Sequence, residues 1–117
     1  MLRLSATLRV FLCLLPVDMR RSFDGLAALA QQVVHADPLS GHLFVFRGRR
    51  GDRLKILYWD RDGYALWYKR LEAGTFRFPA DGTEAREISA ADLALILDGI
   101  DPRSVTRQER FALSPRR

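Results

Sequence analysis

The chain has 117 residues, of which 48% are hydrophobic and 28% are charged. This length is enough for one compact domain and too short for two domains that each bury a core. Basic residues outnumber acidic residues by 19 to 14, which gives a formal net charge of +5, and 17 of the 19 are arginine. A moderately basic chain favours a polyanionic partner, either nucleic acid or an acidic protein surface.

The first predicted element is a strand at 10–15, a short apolar run that contains the β-branched Val10 and ends before Pro16. The run is far shorter than the roughly 20 apolar residues that span a bilayer, and no small-residue cleavage site follows it. We therefore expect a cytoplasmic protein with no membrane partner. Cys13 is the only cysteine, which excludes an intrachain disulfide, and we expect it to be buried.

An amphipathic helix is predicted over 23–35, where apolar residues recur at helical spacing. Ser22 is expected to cap its first amides, Asp24 complements the helix dipole, and Pro38 follows its end. An antiparallel meander is predicted next, with strands at 43–46, 54–59, 64–71 and 75–78 separated by glycine-containing turns. In its second strand, alternation places Leu54, Ile56 and Tyr58 on one face and Lys55, Leu57 and Trp59 on the other, as expected of a sheet with one wetter side.

Residues 80–87 are polar and predicted to form a loop. A second helix is predicted after the capping residue Ser89, with Leu93, Ile96, Leu97 and Ile100 on one stripe and Gly99 near its end. The expected architecture is α+β, a small antiparallel β-meander with two amphipathic helices packed on one face. We expect residues 1–101 to form this single domain and the basic segment 102–117 to be mobile.

The clearest candidate site is a cluster of basic residues around the first predicted hairpin turn. Long cationic side chains at such a turn can reach phosphate without burying charge, and Lys69 and Arg70 can extend the surface. Aromatic rings interleaved with these charges can stack on bases, and the rings considered are those of Trp59, Tyr64, Trp67 and Tyr68. The alternative is that the charges only protect the hairpin from aggregation and that the aromatic rings belong to the core. The residues of the cluster are Arg47, Arg49, Arg50, Arg53 and Lys55.

A second basic pair, Arg20 and Arg21, immediately precedes the first predicted helix. Positive charge at that end opposes the helix dipole, which is compatible with a role in contacting phosphate or an acidic partner. The alternative is that Arg20 pairs with Asp18 or Asp24.

Catalytic and metal sites are not predicted. His35, His42 and Cys13 have no spacing typical of zinc sites, and Ser22, Ser40 and Ser89 occupy cap or turn positions. The remaining hypothesis is a metal-dependent nuclease whose carboxylates bind a divalent cation. Aspartate beside glycine in turns is expected on backbone grounds alone. The carboxylates in question are Asp52, Asp60, Asp62 and Glu72.

Several longer segments of the chain together match the pattern of one known family, and they are 16–26, 41–53, 55–60 with Gly63, 69–72 with Gly74, Phe76 and Pro79, and 97–101. These segments resemble the accessory proteins called TnpB of insertion sequence family sixty-six, which are distinct from the RNA-guided nuclease of the same name. The resemblance covers about residues 8–101. The chain departs from the family pattern at Arg21, where lysine is commoner, and at Pro102, where the family often has an aromatic residue after the Ile-Asp pair.

The resemblance implies a non-catalytic accessory protein of transposition, encoded beside a larger transposase, with no established catalytic residues or cofactor. We expect it to bind DNA, its transposase, or both, through the 47–55 hairpin and Arg20-Arg21, and homo-oligomers are possible. The alternatives are a scaffold that binds only protein and, as a third hypothesis, the metal-dependent nuclease.

Overall fold

The structure, a computed structural model, describes residues 8–79 and 84–99. The predicted tail at 102–117, and with it the predicted domain boundary at residue 101, lies outside the described residues. The described elements are β1 (Val10–Val17), α1 (Phe23–Leu29), β2 (Leu43–Gly48), β3 (Arg53–Asp60), β4 (Gly63–Arg70), β5 (Ala85–Ile88) and α2 (Ala90–Leu97).

The five strands form one mixed sheet in the order β4-β3-β2-β1-β5. The predicted antiparallel pairing of β2, β3 and β4 is confirmed, and the overall α+β class is also confirmed. The prediction of a purely antiparallel sheet is wrong, because β1 pairs with β2 in parallel. The reason is the helical connection between them, which returns the chain to the starting end of β1 before β2 begins.

The predicted strand at 75–78 is not a strand, and the predicted loop at 80–87 contains one. Phe76 and Phe78 are buried, but the segment 75–79 has no regular structure. Instead, β5 pairs antiparallel with β1, with Val10 opposite Ile88 and Cys13 opposite Ala85. The short polar sequence of β5 gives little strand signal of its own, since an edge strand is selected by its neighbour as much as by its residues.

Both predicted helices are present, with one difference in capping. α1 continues into a π-helical turn at Ala30–Val34 and ends at His35, which adopts a left-handed conformation with φ 60°. The Ser22 side chain makes no capping hydrogen bond, whereas the Ser89 hydroxyl accepts one from the Asp92 amide at 3.0 Å, as predicted. No helix within 8–79 and 84–99 is long and apolar enough to cross a membrane.

The two helices contribute to different core clusters. Leu26 of α1 packs with Phe44 and Leu57, whereas Leu93 of α2 packs with Val45 and others. Because successive side chains of a strand point to opposite faces, α1 and α2 lie against opposite faces of the sheet. The prediction that both helices pack on one face is therefore wrong. The expected wetter side is not seen in the middle of β3, where Leu54, Lys55, Ile56 and Leu57 are all buried.

Candidate functional site

A groove of about 370 Å³ opens where the segment after β1 meets the turn between β2 and β3. The two segments meet because β1 and β2 are parallel, so the residues that follow their carboxyl ends emerge at the same edge of the sheet. Two basic clusters that are nearly thirty positions apart in sequence thus share one surface, which we call the basic groove. It is lined by Val17, Asp18, Met19, Arg20, Gly48, Arg49, Arg50, Asp52 and Arg53.

The first wall of the basic groove is the segment after β1, and an irregularity in β1 sets its position. The β1–β2 register runs from Cys13 opposite Phe46 to Val17 opposite Gly48, so β1 contains additional residues in this interval. Pro16, which lacks an amide hydrogen, lies within this interval, consistent with a local break in strand pairing. Met19 then packs directly on Gly48, where a Cβ atom would lie 2.8 Å from Met19 Cγ.

Lys55 holds this first wall, the segment after β1, in place. Its side chain is only 6% exposed, and its ammonium group donates hydrogen bonds to the Met19 and Arg21 carbonyl oxygens, both at 2.7 Å. The ammonium also lies 4.6 Å from the centre of the Tyr68 ring. Lys55, which we expected to contact a ligand, is thus a buried residue that holds the loop after β1 against the sheet.

The second wall is the turn at 49–52, which backbone hydrogen bonds hold in place. Gly51 has a left-handed φ of +80°, which favours glycine, and its amide donates to the Gly48 carbonyl at 3.0 Å. The segment after β4 supports the turn from outside, because the Phe76 amide donates to the Gly51 carbonyl at 2.7 Å and the Leu71 amide donates to the Asp52 carbonyl at 2.8 Å. The turn therefore presents Arg49 and Arg50 from an ordered backbone.

The groove carries an excess of positive charge. Four arginines and two aspartates line it, which leaves a formal charge of +2. Arg49 and Arg50 are exposed, and within the described part of the chain their side chains have no hydrogen-bond or ion-pair partner. They are therefore the groove's most available cations.

Asp18 partly neutralises the other end of the groove. Its carboxylate accepts from the Arg20 guanidinium at 2.7 Å and from the Arg20 amide at 2.9 Å. The Arg20 hydrogen bonds hold the pKa of Asp18 well below its usual range, and the same pair raises the pKa of Arg20. The alternative that Arg20 pairs with Asp18 is confirmed. Of the two acidic groove residues, the sequence analysis considered Asp18 only as a partner of Arg20 and Asp52 only as a carboxylate of the nuclease hypothesis.

A second groove of about 350 Å³, lined by Arg53, Tyr68, Arg70 and Glu72, adjoins the first. Arg53 belongs to both grooves and donates to the Tyr68 hydroxyl at 3.3 Å. It lies directly opposite Arg70 in the β3–β4 register, and Arg70 pairs with Glu72 at 3.0 Å. Because like charges opposite each other destabilise a sheet, an anion between Arg53 and Arg70 would relieve their repulsion.

Three other basic residues from the sequence analysis do not line either groove. Arg47 lies on the opposite face, where its guanidinium donates to the Phe76 carbonyl at 3.0 Å and lies 4.3 Å from the Phe78 ring centre. Burial lowers the pKa of Arg47. Lys69 is exposed and alternates with Arg70, so it points to that opposite face too. Arg21 is exposed at the start of α1, with its aliphatic carbons 3.4 Å from the position of a Cβ on Gly25.

Most of the aromatic residues considered for base stacking belong to the core. Trp67 packs with the α2 cluster, Tyr64 packs with the α1 cluster, and Trp59 meets Tyr64 edge-on at 5.2 Å. Tyr68 differs, because it is 48% exposed and lies beside Arg53. It is therefore the aromatic residue best placed to contact a ligand in the grooves.

The four carboxylates of the nuclease hypothesis do not form one group. Asp60 and Asp62 lie at the β3–β4 turn, and Asp52 lies at the other end of the eight-residue β3, a separation of roughly 25 Å at the usual rise per residue. Glu72 lies at the Asp52 end, because the neighbouring Leu71 amide donates to the Asp52 carbonyl. Within 8–79 and 84–99, no three His, Cys, Asp or Glu side chains form a group that could hold a metal ion. His42 accepts a hydrogen bond from the Arg9 amide at 3.0 Å, so its position is explained structurally.

The fold and the grooves define a small α+β protein whose basic surface lies at the carboxyl ends of two parallel strands. The chain belongs to the family described as IS66 Orf2 like protein, whose model matches residues 8–107. This confirms the resemblance to the accessory proteins of insertion sequence family sixty-six, and it associates the chain with transposition as an accessory protein of an insertion sequence.

Two similar proteins come from Sinorhizobium fredii (strain NBRC 101917 / NGR234). "Uncharacterized protein y4jC" is 41% identical over 104 residues, which cover 89% of each chain. "Uncharacterized protein y4hO" is 43% identical over 101 residues, which cover 86% of this chain and 88% of that protein. No solved structure matches the chain.

Proposed function

We propose that this accessory protein binds DNA directly and without catalysis, by holding the phosphate backbone in the basic groove during transposition in the cytoplasm. One observation carries the proposal. Arg20 comes from one segment, and Arg49 and Arg50, which have no side-chain partner among the described residues, come from another, yet all three line the same groove. Such convergence is typical of a binding surface, whereas solubilising charges need no common site.

The chemistry of the groove suits phosphate. Arginine presents a planar fork of donors that binds a phosphate through two parallel hydrogen bonds. Arg49 and Arg50 are exposed, so they can reach a duplex without breaking hydrogen bonds to described residues, and neutralising phosphates releases counterions. Arg53 and Arg70 extend the same surface along the second groove, and Tyr68 offers an exposed ring beside it. Lys55 and Arg47 are left out of the proposed contact surface, because both hold other parts of the fold.

A scaffold that binds only the transposase is the second candidate. Arg20 and Arg70 already hold carboxylates, those of Asp18 and Glu72. Acidic side chains of the transposase would fit the same guanidinium groups. Both candidates predict salt-sensitive binding, so the discriminating measurement is DNA binding by the purified protein alone.

The test is fluorescence anisotropy of labelled duplexes, one with the element end and one with a scrambled sequence, across a salt series. The variants are Arg50→Ala and a control, Arg61→Asn, each of which removes one positive charge. Arg61 lies at the far end of β3 with a left-handed φ of 58°, a conformation that asparagine tolerates. If each lost phosphate contact changes the salt slope by about 0.9, Arg50→Ala lowers the slope by about 0.9 and Arg49→Ala/Arg50→Ala by about 1.8.

The control is expected to keep the wild-type slope. An equal decrease of the salt slope in Arg50→Ala and Arg61→Asn would mean that DNA binding depends only on net charge and that the groove is not the binding site. Absence of binding at low salt, together with salt-sensitive binding to the transposase, would replace the DNA proposal with the scaffold. A preference for the element end would make the protein a recognition factor, and equal affinity for both duplexes would make it a nonspecific one.

A further inference from the structure

β4 forms one edge of the sheet, and no described residue pairs with its outer side. The strand is regular over its full length, since its register with β3 is unbroken from Arg53 opposite Arg70 to Asp60 opposite Gly63. Its five central residues, 64–68, contain no charge and no proline. Edge strands usually avoid pairing through a proline, a bulge, a central charge or shortness, and β4 has none of these.

The other edge strand, β5, is protected. It has only four residues, and its central Glu87 forms an ion pair with Arg9 at 2.6 Å. The contrast between the two edges singles out β4 as a surface for strand pairing.

We propose that two copies of this chain pair antiparallel through β4, forming a ten-stranded sheet across a two-fold axis at Leu66. Alternate residues of β4 direct their amide and carbonyl groups outwards, and a second β4 satisfies them. Such an isologous contact uses the β4 edge of both copies, so the assembly closes at a dimer.

Charge and side-chain pairing determine the register. In a continuous antiparallel sheet, residues that lie opposite each other point to the same face. A two-fold axis midway between two neighbouring residues of β4 would pair residues of opposite faces, so the axis must pass through a residue. Centring on Leu66 places the Asp62 carboxylate opposite the partner's Arg70 twice, once on each side of the axis. It also places Tyr64 opposite the partner's Tyr68, and aromatic cross-strand pairs are favourable.

Cross-strand charge pairing is less favourable in the two neighbouring registers. Centring on Trp67 places Asp62 opposite the partner's Glu72, which is a repulsive pair. Centring on Ala65 places Asp62 opposite the partner's uncharged Tyr68 and gives no pair of unlike charges within 62–70. Of the three registers, only the one centred on Leu66 places Asp62 opposite a cation, and this supports a second copy of the same chain as the occupant of the edge.

The test is sedimentation equilibrium of the full chain without DNA, from about 5 µM to about 1 mM, so its result is independent of the proposed DNA function. The variants are Asp62→Arg, Arg70→Asp and the double swap. Each single variant creates two like-charged pairs per dimer and is expected to raise the dimer dissociation constant about tenfold, since each cross-strand pair contributes a few tenths to one kcal/mol.

The double swap restores unlike pairs and is expected to return the dissociation constant to within about threefold of wild type. Because both residues are exposed, all variants should fold, and far-ultraviolet circular dichroism checks this. A chain that is monomeric up to 1 mM would overturn the proposal. A dimer whose affinity the single variants leave unchanged, or one that the double swap fails to restore, would overturn the register and place the contact elsewhere.

Discussion

Met19 packs on Gly48 so closely that a Cβ atom on residue 48 would lie 2.8 Å from Met19 Cγ. This contact joins the segment after β1 to the end of β2. Both residues line the basic groove, between its two arginine-bearing segments. The absence of a side chain at position 48 is therefore a packing requirement. The φ angle of Gly48 is not in the left-handed region, so its backbone would accept alanine.

Gly48→Ala is expected to lower the free energy of unfolding by about 1–3 kcal/mol, the usual cost of overpacking. In a Met19→Ala background the clash disappears, and the same change should cost less than about 1 kcal/mol or stabilise slightly through lower backbone entropy of the unfolded chain. Urea unfolding of the four proteins measures this coupling. An equal cost in both backgrounds would show that Met19 and Gly48 are not coupled.

Lys55→Met is expected to lower stability by about 2 kcal/mol, because two charge-assisted hydrogen bonds to the Met19 and Arg21 carbonyls are lost while their acceptors can be rehydrated. Methionine keeps most of the apolar volume, so the change tests the hydrogen bonds and not the packing. The measurement is chemical denaturation beside DNA affinity. Unchanged stability with weakened DNA binding would instead return Lys55 to the ligand-contacting set.

Arg47→Gln is expected to lower stability by about 1–2 kcal/mol, through loss of the hydrogen bond to the Phe76 carbonyl and of the Phe78 ring contact. Its effect on the salt dependence of DNA binding is expected to be nil, in contrast to Arg50→Ala. Thermal melts and the same salt series measure the two effects. A reduced salt slope for Arg47→Gln would place Arg47 in the DNA contact surface.

Asp18→Asn is expected to strengthen DNA binding about threefold at low salt, because it removes a negative charge from the groove and leaves Arg20 uncompensated. Asparagine retains an oxygen that can accept from the Arg20 amide, so the local turn is preserved. Anisotropy titrations at pH 7 measure the change. Weaker binding by Asp18→Asn would mean that Asp18 is needed to orient Arg20.

The same substitution tests a pH effect. Arg20 lowers the pKa of Asp18 in the folded chain, whereas in the unfolded chain this pKa is about 3.9. The ion pair therefore contributes stability above about pH 4 and loses that contribution as the pH falls towards the lower, folded-state pKa. The difference in unfolding free energy between wild type and Asp18→Asn should shrink between pH 5 and pH 2. A difference that stays constant over this range would contradict the pair's role.

The sequence was informative wherever a local pattern decides the structure. The period-two alternation of β3 and the turns around it predicted the β2–β3–β4 hairpins. The helix beginning at Ser89 was predicted from its cap and its apolar stripe, and the capping bond is present. The residue pattern gave wrong predictions at 75–78 and 85–88. The phenylalanines of 75–78 are buried beside the sheet and give their segment the apolar pattern of a strand, whereas the polar edge strand β5 lacks that pattern.

For the candidate site, the sequence identified the basic residues but could not assign them to faces. Arg47, Arg49, Arg53 and Lys55 look equivalent in a list, yet alternation and the covering helices separate them. Lys55 is buried under the loop after β1, Arg47 faces the α2 side, and Arg49 is exposed at the turn. Burial depends on what lies over each face, which no single segment encodes.

The sequence alone determined the family, the basic character, and most of the strands and helices, because these depend on composition and on patterns within short stretches. Only the tertiary structure decided that β1 runs parallel to β2 and that α1 and α2 cover opposite faces. The physical reason is that strand pairing is a long-range choice made by backbone hydrogen bonds, which are nearly the same for every residue. That choice brings Arg20 beside Arg49 and Arg50, and so creates the basic groove.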